Sequence, residues 1–246
     1  MFKKIVLFLV LSVVVFASSI KVAVAANVSF AIDDIIAAFH TKYPDVKVGV
    51  ILGSSGKLNA QIKRGAPFDV FMAANMRYPQ DLFNNGLAIS PAKIYAQGAL
   101  AIFSVKKRDF SKGIYIAKES SISRIAITNP NTAPYGKAAV EALKNAKIYK
   151  DIKDKFVYAE SVSQTVQYAM TAADIGFIAK STLFSSKMKR FKKGKNWIET
   201  DKNLYTPIKQ GVVIIKSTKN LKAAKEFYDF ILSHKAKKVF KNYGYL

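Results

Sequence analysis

The chain has 246 residues, half of them apolar, which is enough for a packed core in one domain or two small ones. It contains no cysteine, so disulfides, thiolate metal sites and cysteine nucleophiles are excluded. The formal net charge of +23 comes from lysines scattered along the whole length, a distribution that reads as a cationic surface attracting small anions rather than as a nucleic-acid groove.

The N-terminus has the form of a secretory signal. Lys3 and Lys4 give a positive start, Ile5 to Phe16 is apolar apart from Ser12, and Val15-Phe16-Ala17 supplies small residues where a signal peptidase reads. Residues 1–17 are therefore expected to be removed on export, although an uncleaved anchor is the alternative. A second small-residue site, Ala23-Val24-Ala25, is set aside because Ile20–Ala26 is better used as the first strand of the mature fold. No later segment is long and apolar enough to span a bilayer.

Strands are predicted over Ile20–Ala26, Lys47–Leu52, Val70–Ala73, Ala99–Ser104, Arg124–Thr128, Phe156–Ala159, Ile175–Ile178, Trp197–Glu199 and Gly211–Ile215. Helices are predicted over Phe30–Lys42, Lys57–Arg64, Tyr78–Asn84, Gly136–Asn145, Ser163–Thr171 and Leu221–Phe240. The alternation of strand and helix with short turns implies an α/β fold with mainly parallel sheets. No loose linker and no fixed-period repeat is present, so a second domain must be joined through strands.

Four strand-to-helix turns are built from small residues: Ala25–Ser29, Gly53–Gly56, Asn129–Gly136 and Glu160–Ser163. The first N–H groups of a helix lack internal partners, and the helix dipole adds partial positive charge there. For one such turn an ordinary N-cap is the simpler reading. Four of them, divided between the halves of the chain, point to a shared pocket at the carboxyl ends of the strands. A cavity lined by uncharged donors suits a fully deprotonated tetrahedral dianion. A protonated phosphate would also need an acceptor.

With these turns located, the chain resembles the periplasmic molybdate-binding proteins of ABC transporters. The resemblance is carried by AANVSFAIDDIIAAF, GSSGKLNAQIKRGAPFDVFMAAN, YAQGALAIFS, NPNTAPYGKAAVEAL, GFIAKS and FYDFILSHKAKKVFKNYGY. It implies a two-lobed type II binding-protein fold. Residues 18–98 and 207–246 would form lobe 1, residues 99–206 lobe 2, and the crossings would fall near Gly98 and Thr206. The family's anion contacts correspond to Asn27, Ser55, Tyr135 and Val162, with no protein atom bonded directly to molybdenum or tungsten. Asn27 stands where Ser is commoner, and its amide is expected to donate in the hydroxyl's place. A family tyrosine corresponds to Ala179, which cannot donate; Ser181 and Ser29 are the neighbouring hydroxyls available to replace it, and Ser54 is a further candidate contact. The resemblance further implies a monomeric periplasmic receptor without a cofactor, handing molybdate or tungstate to a membrane permease.

Other classes are less well supported. His40 and His234 are the only histidines, both in helical segments, and no HExxH, GxSxG or P-loop pattern occurs, so no enzyme is expected. Asp33 and Asp34 read as helix-start charges rather than an acid–base pair. The basic run Lys187–Lys195 has one aromatic and lacks the stacking pattern of a nucleic-acid binder, which leaves nucleic acid or a membrane surface as the alternative from another class. Within the receptor class, sulfate, thiosulfate and phosphate are the competing ligands.

Overall fold

The computed structural model describes residues 18–246, so the signal-peptide expectation for residues 1–17 lies outside the described residues. Two five-stranded sheets organise the molecule. The first has the order β2-β1-β3-β10-β4, formed by β1 (Ser18–Ala25), β2 (Val46–Gly53), β3 (Val70–Ala73), β4 (Lys93–Gly98) and β10 (Ile208–Ile214). The second has the order β7-β6-β8-β5-β9, formed by β5 (Leu100–Phe103), β6 (Ile125–Thr128), β7 (Phe156–Ala159), β8 (Ile175–Ala179) and β9 (Trp197–Glu199). The chain passes between sheets twice, from β4 into β5 across Ala99 and from β9 back into β10.

Both sheets are mixed, with four of the five strands in each running the same way. β1 pairs parallel with β2 and β3, whereas β10 runs antiparallel to β3 and β4. β6 pairs parallel with β7 and β8, whereas β5 is antiparallel to β8 and β9. The one reversed strand in each sheet lies next to a crossing: β10 in the first sheet and β5 in the second.

Helices cover the faces because each has one apolar stripe. On the first sheet, α1 (Ile32–His40), α7 (Leu221–Ile231) and α8 (His234–Asn242) share one core. The Phe39 ring lies 5.2 Å from Phe227 and 5.5 Å from Phe230, both edge-on, the geometry favoured by aromatic quadrupoles. Leu58 and Ile62 of α2 (Ser55–Lys63) and Leu82 of α3 (Arg77–Asn84) fill the opposite face. On the second sheet, α4 (Pro134–Asn145) and the short α5 (Tyr149–Ile152) cover one side, and α6 (Val162–Thr171) covers the other.

Three elements differ from the sequence expectation, the first being the short α5, which was not predicted. The single helix expected over Leu221–Phe240 is two helices, because Ser233 takes an extended backbone and its hydroxyl accepts the N–H of Ala236, capping α8. β4 was not anticipated. It is an edge strand, with β10 on one side and, on the other, a reciprocal pair of backbone hydrogen bonds between Gln97 and Leu246. Among the described residues no helix is long and apolar enough to cross a membrane.

Candidate oxyanion site

The four turns meet where the two sheets face each other. Asn27, Ser54, Ser55, Tyr135 and Val162 line one small cavity of about 10 Å³, together with Gly53, Ala74 and Pro134. Asn27 and the serines follow strands of the first sheet; Tyr135 and Val162 follow strands of the second. No lysine, arginine or histidine lines it among the described residues. Larger clefts of about 300 to 480 Å³ border it or lie elsewhere: one shares Ala74 and Pro134 and is also lined by Lys137 and Lys209, one shares Gly53 and Ser54 and is also lined by Lys57 and Glu160, and two more lie at Arg124 and Arg190.

Three of the turns deliver a helix N-terminus. Ser55 is the first residue of α2, Tyr135 the second of α4 after Pro134, and Val162 the first of α6. Their N–H groups have no partner within the helix. Neighbouring donors are satisfied elsewhere: the Gly56 N–H reaches the Thr132 carbonyl at 2.8 Å, and the Gln164 N–H reaches the Ser161 hydroxyl at 3.2 Å. The fourth turn differs from expectation. Asn27 lies in a 3-10 turn, Ala26–Val28, and α1 starts only at Ile32, so Asn27 does not open an α-helix.

The hydroxyls divide into two groups. Ser55 Oγ accepts the Ala74 N–H at 2.9 Å, which orients its own proton away from that bond. Ser54 Oγ is buried without a partner among the described residues. Both are available to a ligand. Ser29 and Ser181 do not line the cavity: Ser29 Oγ pairs with Ser163 Oγ at 3.3 Å, and Ser181 Oγ donates to the Asn27 carbonyl at 3.0 Å. They therefore join the two sheets instead of replacing the absent tyrosine hydroxyl. Ala179, at that position, is fully buried in the core.

The expectation for the Asn27 amide is corrected. Its Nδ2 donates to Gln210 Oε1 at 2.9 Å and to the Tyr245 hydroxyl at 3.0 Å, while Oδ1 has no partner. Both amide protons are committed, so Asn27 offers the cavity its backbone N–H, and Oδ1 is a free acceptor on a lining residue. The Tyr245 hydroxyl donates in turn to the Asn27 carbonyl at 2.9 Å. Burial raises the Tyr245, Tyr95 and Tyr135 phenols well above their ordinary range, so all three are neutral donors at physiological pH.

The remaining sequence candidates are structural. His40 bonds the Val46 carbonyl at 2.9 Å, and His234 is an exposed first residue of α8. Asp33 and Asp34 occupy the first turn of α1. In the basic run the lysines and Arg190 are exposed, while Met188 and Phe191 anchor it in the core, so no aromatic there is free to stack on a base. Gln210, Tyr95 and Tyr245, which brace the site from behind, were missed by sequence reasoning. Gln210 had a faint signal: it is a polar residue just ahead of the apolar run Val212–Ile214 of β10.

Comparison with known proteins bears on the family and the fold. Residues 20–246 match the model for the bacterial extracellular solute-binding proteins. The molybdate-binding protein ModA of Azotobacter vinelandii is 35% identical over 231 residues, covering 93% of this chain and 90% of that protein. The ModA of Rhodobacter capsulatus is 33% identical, covering 94% of this chain and 89% of that protein. The solved structure of the Azotobacter vinelandii periplasmic molybdate-binding protein superposes with a TM-score of 0.85 at 31% identity, covering 92% of this chain and 98% of that one. With a family match over nearly the whole described length and two relatives above 30% identity, the chain belongs to the bacterial extracellular solute-binding proteins and is a binding protein rather than an enzyme.

Proposed function

We propose that this protein is a periplasmic receptor that captures molybdate or tungstate between two lobes and delivers it to an ABC permease. The observation that carries the reading is one cavity lined by uncharged turn residues from both sheets, with no cation in its lining among the described residues. Backbone N–H groups of Asn27, Ser55, Tyr135 and Val162, with the hydroxyls of Ser54 and Ser55, would surround a tetrahedral anion. Fixed dipoles suit this ligand because they require little reorganisation and carry no titrating charge. The relatives named for molybdate support the choice of anion.

In this reading residues 18–98 and 207–246 form one lobe, residues 99–206 the other, and the crossings act as the hinge. The cavity has room for roughly the centre of one water, so an anion of this size seats as the lobes part slightly and close again. Export through the inner membrane with loss of residues 1–17 fits the N-terminal pattern. The receptor is proposed to act as a monomer.

The free acceptor Asn27 Oδ1 makes phosphate the competing ligand, since a protonated oxyanion needs one acceptor. A thermal-shift panel of molybdate, tungstate, sulfate, thiosulfate and phosphate tests the assignment. A ligand at a hundredfold its Kd adds about 2.7 kcal/mol of stability, enough to raise the melting temperature by several degrees. Stabilisation by molybdate or tungstate is expected; a response to phosphate alone would overturn it.

A further inference from the structure

We propose that Gln210 is the positioning residue that couples the two sides of the cavity from the crossing strand, an inference that rests on the receptor reading above. Gln210 is completely buried on β10, beside the register shift between Gln210 and Gly211. Its Oε1 accepts from the Tyr95 hydroxyl at 2.7 Å and from Asn27 Nδ2 at 2.9 Å. Its Nε2 donates to the Tyr135 hydroxyl at 3.4 Å. One side chain thus holds two cavity residues, Asn27 next to the first sheet and Tyr135 next to the second.

A buried amide is costly unless its groups are paired, and an apolar side chain of equal size would fill the same volume without that requirement. Packing alone therefore does not account for glutamine here. What the amide adds is register. Asn27 is braced on each side: its amide by Gln210 and Tyr245, its carbonyl by Tyr245 and Ser181. The preceding carbonyl, in the same peptide unit as the Asn27 N–H, accepts from Ser163 Oγ at 2.9 Å. On the other side, Tyr135 runs from its first-turn N–H at the cavity to a hydroxyl lodged at the hinge. Gly98, at the end of β4 where the first crossing begins, leaves the space for that hydroxyl: a Cβ there would collide with it and meet Gln210 Nε2 at 2.7 Å. Gln210 therefore transmits the relation between the lobes to the orientation of both donors.

The test compares molybdate binding by the unmodified protein, Gln210→Met, Tyr135→Phe and the double variant, using titration calorimetry, stopped-flow kinetics and melting of the ligand-free state. Gln210→Met is expected to weaken affinity at least tenfold through faster dissociation, and Tyr135→Phe at least threefold. Because both act through one contact, the double variant should be no weaker than Gln210→Met. A role in folding alone would lower the ligand-free melting temperature and leave dissociation unchanged. The proposal is overturned if folded Gln210→Met binds as tightly as the unmodified protein, or if the double variant loses the product of the two single effects. Should Gln210→Met fail to fold, Tyr135→Phe decides: a threefold loss supports the coupling and an unchanged affinity overturns it. An unmodified protein that ignores molybdate would instead sink the receptor reading and the coupling with it.

Discussion

Ser55 Oγ accepts the backbone N–H of Ala74 at 2.9 Å, which leaves its single proton as a donor for the cavity it lines. The hydroxyl thus serves the fold and the proposed ligand through different lone-pair and proton directions. Ser55→Ala removes the donor and orphans a buried N–H. A hydrogen bond to a charged group contributes about 1.5–3 kcal/mol, so anion affinity should fall roughly tenfold to a hundredfold. The orphaned Ala74 N–H should cost about 1–3 kcal/mol of stability as well. Calorimetry and denaturant melts on the same variant separate the two effects.

The buried tyrosines make the protein sensitive to alkali. An unfolded tyrosine titrates near pH 10. In the fold, burial holds Tyr95, Tyr135 and Tyr245 protonated well beyond that pH. Above about pH 10 the native state then binds more protons than the unfolded chain, so stability declines as pH rises. It should be insensitive to these groups below that pH, and should fall by up to about 1.4 kcal/mol per pH unit for each such tyrosine above it. Urea melts from pH 8 to 11 give the slope. Tyr245→Phe should flatten it.

The lysine surface should act on rate more than on the bound complex. No cation lines the cavity among the described residues, yet the chain carries a formal charge of +23. Long-range attraction of this kind is screened over about 10 Å at 0.1 M salt. Raising the salt from 20 to 300 mM is therefore expected to slow association of the anion severalfold and to leave dissociation nearly unchanged in stopped-flow traces.

Much of this arrangement was readable in the sequence where a single local rule decides the outcome. Val70–Ala73, Phe156–Ala159 and Trp197–Glu199 have the predicted bounds because each is a short run rich in strand-forming residues set among polar ones. The serine turn before α2 was legible because small residues at a helix start have few uses. What escaped depends on contacts distant in sequence. β4 is half polar and exists because β10 and the C-terminus pair with its edges. The direction of the Asn27 amide is set by Gln210 and Tyr245, 183 and 218 residues away. The break at Ser233 was hidden by an apolar stripe that continues from α7 into α8 while the backbone does not.

Gly56 offers the sharpest test of closure. Its N–H bonds the Thr132 carbonyl across the cleft, and a Cβ at this position would lie 2.7 Å from that carbonyl and 2.8 Å from the Tyr78 hydroxyl. A backbone carbonyl yields less readily than the end of a flexible side chain, so Gly56→Ala should push the two turns apart. Gly56 is the second residue of α2, where alanine has the better intrinsic helix propensity, so the open molecule should not be destabilised. The expected phenotype is selective: ligand-free melting unchanged or raised, anion affinity reduced at least tenfold, and no compaction on adding molybdate by small-angle scattering. The exposed Lys57–Glu160 ion pair, 2.5 Å apart across the same gap, should not compensate, because surface pairs contribute at most about 1 kcal/mol. If Gly56→Ala bound molybdate as tightly as the unmodified protein and compacted as fully, cleft closure through this turn would not be part of capture.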